Sequence, residues 1–321
     1  MPAPPFIELD KITKKFGNYE VLKDISLKIP YGEITGVIGQ SGSGKTTILN
    51  LIIGFIKPSK GKILFQSRDI FKDMNHVNKL FGFGSQGFSF YEELTVEENL
   101  KYFAKLYGIN NKTIKKRIDE VLKLVDLPHA KKVLGGKLSA GMKRRLDIAC
   151  ALMHDPKVLI LDEPTQDLDP ILRKELAKVL QKIKRDGTTI ILTSHLLGEV
   201  ENMCDNVAIL NEGKIVKFNK PKQLKKIYKK DSLEDVFTAI IEQTRKIQTK
   251  KQIIQKEIEE AGVKKEAEKS KKEELSLKEK LVSIFKKKEI ETKKIKKRKK
   301  KIKEEKVEEI KEEDNKKEEN E

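Results

Sequence analysis

The chain has no tryptophan, only four histidines and only two cysteines among 321 residues. Each scarcity closes a class of chemistry. Cys150 and Cys204 lie far apart without metal-type spacing, so neither a zinc cluster nor a disulfide framework is encoded, and two reduced core thiols are expected. The longest apolar run, residues 48–56, is interrupted by Asn50 and Gly54 and closed by Pro58. It is far short of the roughly 20 residues that cross a bilayer. The opening Met-Pro-Ala-Pro-Pro has no charged stretch followed by an apolar one, so no secretory leader is expected. Aromatics make up 6% of the chain and charged residues 37%, with a formal net charge of +18. A basic surface suits an anionic neighbour, either a membrane face or a nucleic acid, and a Lys/Glu habit of heat-adapted proteomes explains it equally well.

What is present is concentrated in one loop. Residues 39–46 read Gly39-Gln40-Ser41-Gly42-Ser43-Gly44-Lys45-Thr46, followed by Thr47, and match G-x-x-x-x-G-K-[ST]. The glycines let the backbone turn its N–H groups inward around a polyphosphate. The helix that follows presents its positive dipole end to the same anion. Lys45 adds a point charge near the β/γ-phosphates, and the Thr46 hydroxyl suits Mg²⁺. The context fits, with a short apolar strand before the loop (Ile34–Ile38) and a helix after it.

Along the chain, Phe6–Leu9 and Val21–Ile29 read as strands about a Gly17-Asn18 turn. Residues 62–65, 79–85, 158–161 and 188–193 read as further strands, and 207–210 with 214–218 as a hairpin. From Thr95 to Ala151 the apolar period becomes helical: Leu100, Phe103, Leu106 and Tyr107 recur on one face, as do Ile114, Ile118, Val121, Leu122 and Val125. Residues 172–185 read as an amphipathic helix, and His76, His129 and His154 as surface or capping residues. Strands alternating with helices predict an α/β fold with a mostly parallel sheet and one nucleotide site.

The Val-Leu-Ile-Leu run ending in Asp162-Glu163 puts two carboxylates at the C-terminal end of a buried strand, where ligands sit in open α/β sheets. Asp162 suits Mg²⁺ through water, and Glu163 is placed to act as general base on an attacking water. A Gly82-Phe-Gly-Ser-Gln-Gly87 stretch matches a dinucleotide fingerprint, but Phe88-Ser-Phe-Tyr follows instead of a helix start, so that reading is rejected.

Leu138-Ser139-Ala140-Gly141-Met142-Lys-Arg-Arg precedes Asp162 by about two dozen residues. With this segment the chain resembles the ATP-binding-cassette (ABC) ATPases, whose signature is usually Leu-Ser-Gly-Gly-Gln. Met142 and the following basic residues look like the drug- and sodium-exporter cassettes, as does Ser232-Leu-Glu-Asp-Val-Phe237. The resemblance spans about residues 5–240. It implies a P-loop (RecA-like) core with an antiparallel β region and an inserted helical subdomain at about 87–151. It implies ATP and Mg²⁺ as ligands, and two copies, identical or related, that sandwich two ATPs. Gln86 looks like the lid glutamine that senses Mg²⁺ and the water, His195 like the γ-phosphate switch, and Phe16 like the adenine-stacking aromatic. Ser139 and Gly141 then serve the ATP of the opposite copy, and Asp169 lies in the loop that communicates across the dimer. Asp167 stands where the pattern has glycine, which implies altered coupling or rate. A separate transmembrane permease is the implied partner, and the cytoplasmic face of the cell membrane the implied location. A soluble ABC protein acting on ribosomes or nucleic acid and a low-turnover ATP-binding scaffold are the alternatives.

Residues 1–241 are thus read as the nucleotide-binding domain and 242–321 as a Lys/Glu-rich tail, helical or disordered. The tail carries 28 Lys+Arg against 21 Asp+Glu. Its first reading is a solvated charged segment. Residues 278–288 and the basic run 293–301 suit anionic lipid as the next reading, with nucleic acid last.

Overall fold

The computed structural model describes residues 6–246 and, beyond them, residues 249, 253, 272, 275 and 276. One compact unit ends at Thr244; in the second, Arg245–Glu321, the described residues are helical and exposed. The tail segments 278–288 and 293–301 lie outside the described residues.

The first unit opens with the antiparallel pair β1 (Ile7–Phe16) and β2 (Tyr19–Ile29). β1 runs seven residues past its expected end, carried through register shifts between Leu9 and Lys15, with Lys11 at φ +51°. Such bulges insert an unpaired residue without ending the ladder. Next come β3 (Ile34–Ile38), α1 (Lys45–Ile52), β4 (Lys60–Phe65) and the two-residue β5 (Arg68–Asp69). α2 (Met74–Leu80) was not expected: the sequence pattern reads 79–85 as strand, but only β6 (Phe81–Gly84) is extended. Asp73 accepts from the His76 amide and starts the helix, and this cap claims Lys79 and Leu80 for α2.

The helical insertion resolves into α3 (Val96–Leu106), α4 (Asn111–Leu124) and α5 (Ala140–Leu152). α3 begins in a capping box in which Thr95 and Glu98 satisfy each other's amides. Thr95→Ala is expected to destabilise the domain by about 1 kcal/mol, read as a lower urea midpoint at unchanged m-value. The buried face of α3 is Val96, Asn99, Leu100 and Ala104, while Leu106 is 66% exposed, contrary to the expected stripe. Asn99 takes a core position because its amide donates to the carbonyls of Tyr91, Leu94 and Thr95. The chain continues through β7 (Val158–Leu161), α6 (Pro170–Arg185), β8 (Thr189–Ser194), α7 (Leu197–Met203), β9 (Asn206–Asn211), β10 (Lys214–Asn219), α8 (Pro221–Tyr228) and α9 (residues 233–246). α6 starts two residues earlier than expected because Asp169 caps it, with Pro170 in its first turn.

Four strands form an antiparallel sheet in the order β2-β1-β4-β5. Six form the main sheet, β10-β9-β3-β8-β7-β6, parallel except for the edge strand β10. Its central strands are buried on both faces, hence their unbroken apolar runs. The strand alternation sorts them cleanly. Ile34, Ile38, Leu159, Leu161, Ile190 and Leu192 pack with the helices of the insertion and α6. Val37, Val158, Ile160 and Ile191 pack with α1 and the antiparallel sheet. Leu233, Val236 and Ile240 of α9 close the first of these cores.

Both cysteines are buried, Cys150 in α5 and Cys204 just after α7 in extended backbone rather than inside a helix. Burial pushes both thiols up and out of reactive range. His76 and His129 are exposed, and His154 is half-buried. Its ring stacks on Tyr107 at 3.8 Å between centroids and its Nε2 lies 3.0 Å from the Phe81 carbonyl. Burial lowers its pKa, which keeps the imidazole neutral.

Candidate nucleotide site

The loop of residues 39–44 joins β3 to α1 at the C-terminal edge of the parallel sheet. Two glycines there are structurally forced. A Cβ on Gly39 would fall 2.4 Å from the Leu210 carbonyl oxygen and 2.6 Å from Ser43 Oγ. Gly44 sits at φ +106°, a conformation open essentially to glycine alone. The loop therefore closes tightly on itself and leaves the first turn of α1 with free backbone donors. Ser43 Oγ is buried and has no hydrogen-bond partner. The Lys45 ammonium is folded back, donating to the carbonyls of Gly39 (3.0 Å) and Gln40 (3.4 Å).

β7 runs beside β8 with Leu161 opposite Leu192, so the next residues of both strands meet above the sheet edge. Here Thr193 holds both carboxylate residues. Its Oγ1 donates to Asp162 Oδ1 at 2.5 Å and accepts from the Glu163 amide at 2.9 Å. The Asp162 amide donates to the Gly84 carbonyl of β6, which ties the third strand into the same edge. Glu163 adopts φ +49°, an unusual conformation for a non-glycine residue. Its carboxylate is shared between two side chains: Lys45 Nζ lies 3.6 Å from Oε1, and His195 Nδ1 lies 2.8 Å from Oε2, with the His195 amide at 3.2 Å. The Lys45 and Glu163 side chains are only 10% and 11% exposed, so this pair is screened little by water. His195 is half exposed and forms the solvent side of the site.

A cavity of about 580 Å³ opens over these groups, lined by Lys45, Thr46, Thr47, Gln86, Glu163 and His195, with Ser41, Gly42 and Gly44 among its walls. Asp162 is 5% exposed and is not among the lining residues. A second hollow of about 260 Å³ adjoins the loop between Tyr19, Gln40, Ser41 and Ser43. Phe16 is 50% exposed at the β1–β2 turn, paired in register with Tyr19, with the Lys14 ammonium 4.9 Å from its ring centroid. It is not a core residue.

Other residues singled out in the sequence lie outside the cavity. Ser139 caps α5, accepting from the Met142 amide at 3.3 Å. Gly141 packs under α6, where a Cβ would come 2.8 Å from Leu172 Cδ2. Asp169 caps α6 through the amides of Ile171 and Leu172. Asp167 stands at φ +61°, which accounts for a glycine being the easier residue there. Sequence reasoning missed Thr193 and Gln166. Gln166 Oε1 accepts from Gln86 Nε2 at 2.7 Å and joins Gln86 to the loop after Glu163. The signal for Thr193 was a hydroxyl directly after the aliphatic run 190–192, next to the strand that carries the acids.

The residues fit a magnesium-bound nucleotide. The glycine-lined loop leaves an anion-sized concavity, Ser43 carries an unspent hydroxyl, and Thr46 and Asp162 supply hard oxygen donors. Among the described residues no group of three His, Cys, Asp or Glu could hold a metal alone. That accords with Mg²⁺, which is held by one or two protein oxygens together with phosphate oxygens and water.

A family profile described as ABC transporter matches residues 22–166. The bacitracin transport ATP-binding protein BcrA of Bacillus licheniformis is 38% identical over 239 residues, covering 73% of this chain and 77% of that protein. NatA, an ABC transporter ATP-binding protein of Bacillus subtilis, is 34% identical over 219 residues, 68% of this chain and 87% of its own length. The structure of cbiO1 from Clostridium perfringens, part of the ABC transporter complex cbiONQ, superposes with a TM-score of 0.66 at 32% identity, over 69% of this chain and 90% of that one. With its phosphate loop, its paired carboxylates and relatives that match 68–73% of its length, the chain belongs to the ABC transporter family as an ATP-binding, ATP-hydrolysing subunit.

Proposed function

We propose that this subunit powers export through a separate membrane permease at the cytoplasmic face of the cell membrane, by closing and reopening a two-copy ATP sandwich. The observation that carries the reading is the sharing of Glu163 between Lys45 and His195 at the cavity floor. Lys45 and His195, the two groups whose chemistry suits the γ-phosphate, both face the Glu163 carboxylate. When ATP enters, Lys45 and His195 turn to phosphate oxygens and Glu163 is released to the water. Glu163 then takes a proton as the water oxygen bonds to the γ-phosphorus and the bond to the ADP oxygen breaks. Thr46 and Asp162 would hold Mg²⁺, which would supply positive charge against the phosphates. Gln86 orients the water, and Phe16 stacks on the adenine. Ser139 and Gly141 at the start of α5 meet the ATP of the second copy, and Asp169 sits at the seam.

Export is supported by the relatives, among them proteins named for bacitracin transport and linearmycin resistance. The need for a permease is supported by the lack, among the described residues, of any helix long and apolar enough to cross a membrane. Tyr91 and Tyr102 form an exposed aromatic pair in the stretch that follows Gln86 and suit contact with that partner. The test is purification of the tagged chain from its host in mild detergent. A multi-span membrane protein in stoichiometric amount is the expected companion; ribosomal or nucleic-acid partners with no membrane protein would overturn the transporter assignment. Phe16→Ala is expected to weaken ATP binding by roughly 5- to 150-fold, since a base–aromatic stack is worth about 1–3 kcal/mol. Nucleotide titration by calorimetry checks this, and unchanged affinity would remove Phe16 from the site.

A further inference from the structure

Arg144 lies on α5, just over one turn beyond Ser139, and its side chain is 6% exposed. Its guanidinium does not reach the cavity. Nη1 donates to the Ser85 carbonyl and Nη2 to the Gln86 carbonyl, each at 3.0 Å. The guanidinium carbon stands 5.0 Å from the centroid of the Phe88 ring. On the same helix face, Asp147 Oδ1 accepts from the Ser89 amide at 2.8 Å, and its Oδ2 lies 3.7 Å from Arg144 Nη1. The carboxylate of Asp167 adds its field to the same guanidinium. Two side chains one helical turn apart thus hold residues 85–89 almost entirely by backbone atoms, and Gln86 has its main chain fixed by α5 while its side chain stays free to bond Gln166.

We propose that Arg144, supported by Asp147, is the positioning residue that fixes Gln86 relative to the signature end of α5, so that seating of Ser139 and Gly141 on the second copy's nucleotide sets the lid glutamine of the first. The inference rests on the reading of Gln86 as the residue that orients the attacking water. The chemistry requires arginine. A fork of coplanar donors can hold two successive carbonyls at once, whereas a lysine ammonium keeps the charge but not the paired geometry. Asp147 supplies the counter-charge that a buried guanidinium needs and pins the far end of the same loop. Asp167, unusual for the family at its position, lies where its charge stabilises this guanidinium, which gives that departure from the glycine pattern a physical role.

The test measures single-turnover ATP hydrolysis by the purified full chain, so that slow variants remain readable. R144K is expected to lower the hydrolysis rate about 10- to 100-fold, the scale of a misplaced catalytic group, with the ATP concentration for half-maximal rate changed less than about threefold. In a Q86A background the same R144K change is expected to have less than a twofold further effect, because residues that act through one another are not additive. An equal factor in both backgrounds, or an unchanged rate for R144K, would overturn the proposal. R144M/D147N removes both buried charges and keeps an acceptor for the Ser89 amide, which protects the fold. It is expected to raise amide exchange across residues 85–89 while β7 stays protected, and unchanged exchange there would equally overturn the clamp. E163Q run alongside separates the two readings: wild-type turnover in E163Q would bring down the catalytic site itself, whereas a dead E163Q with an unaffected R144K brings down the clamp alone.

Discussion

Replacing Glu163 by glutamine lowers ATP turnover by about 10²–10⁴, the usual value of a positioned general base. The substitution keeps the shape of the side chain and an oxygen that can face His195, now 2.8 Å from the carboxylate. It removes the negative charge that faces Lys45 at 3.6 Å. Lysine is then released to the phosphates without competition, so ATP binds at least as tightly while its hydrolysis stalls. The expected result is an ATP-loaded dimer that persists with Mg²⁺ present and falls apart in the wild type as phosphate is released. Phosphate-release kinetics and size-exclusion chromatography with bound-nucleotide analysis check both halves. Unchanged turnover would remove Glu163 from its role.

Thr193→Val carries the second large effect, and it acts on stability and chemistry together. Thr193 is fully buried, and its hydroxyl satisfies both Asp162 Oδ1 and the Glu163 amide. Valine fills the same space and leaves one buried carboxylate oxygen and one buried N–H unpaired. At about 1–3 kcal/mol each, the expected loss is about 2–6 kcal/mol, a large share of the roughly 5–15 kcal/mol that holds a domain together. Urea unfolding reads the first effect. The second is a fall in turnover at temperatures where the variant is still folded, since both acids lose their anchor. Thr193→Ser keeps the hydroxyl and is expected to restore most of both. A valine variant as stable and active as the wild type would show that the strand edge, not Thr193, holds the acids.

The two effects differ in how visible their residues are in the sequence. The phosphate loop announces itself because its demands are local: glycine where a Cβ collides or φ is positive, a lysine and a hydroxyl at fixed offsets. Asp162-Glu163 is legible for a related reason, since charges directly after four buried aliphatic residues must emerge at a strand end. Thr193 is invisible in this way because its partners are 30 and 31 residues away and meet it only through the register of β8 on β7. Arg144 was likewise hidden in a basic triplet, and only the packing of α5 under the Gln86 loop distinguishes it from its partly buried neighbours, which pair with Glu92 and Glu175. The misassigned 79–85 strand has a similar cause. An aspartate cap outweighed a short β-like run, as caps often do when an element is only a few residues long.

The sequence by itself determined the class of ligand, most of the order of strands and helices, and the residue types at the phosphate loop, because these follow from backbone geometry and nearest-neighbour periodicity. The tertiary structure alone decided which groups share Glu163, how Thr193 binds the two acids together, that His154 stacks half-buried on Tyr107, and that α5 grips the backbone of Gln86. Those contacts join residues tens of positions apart. Their energies depend on distances of a few ångströms and on burial, and both are set only when strands register and helices pack.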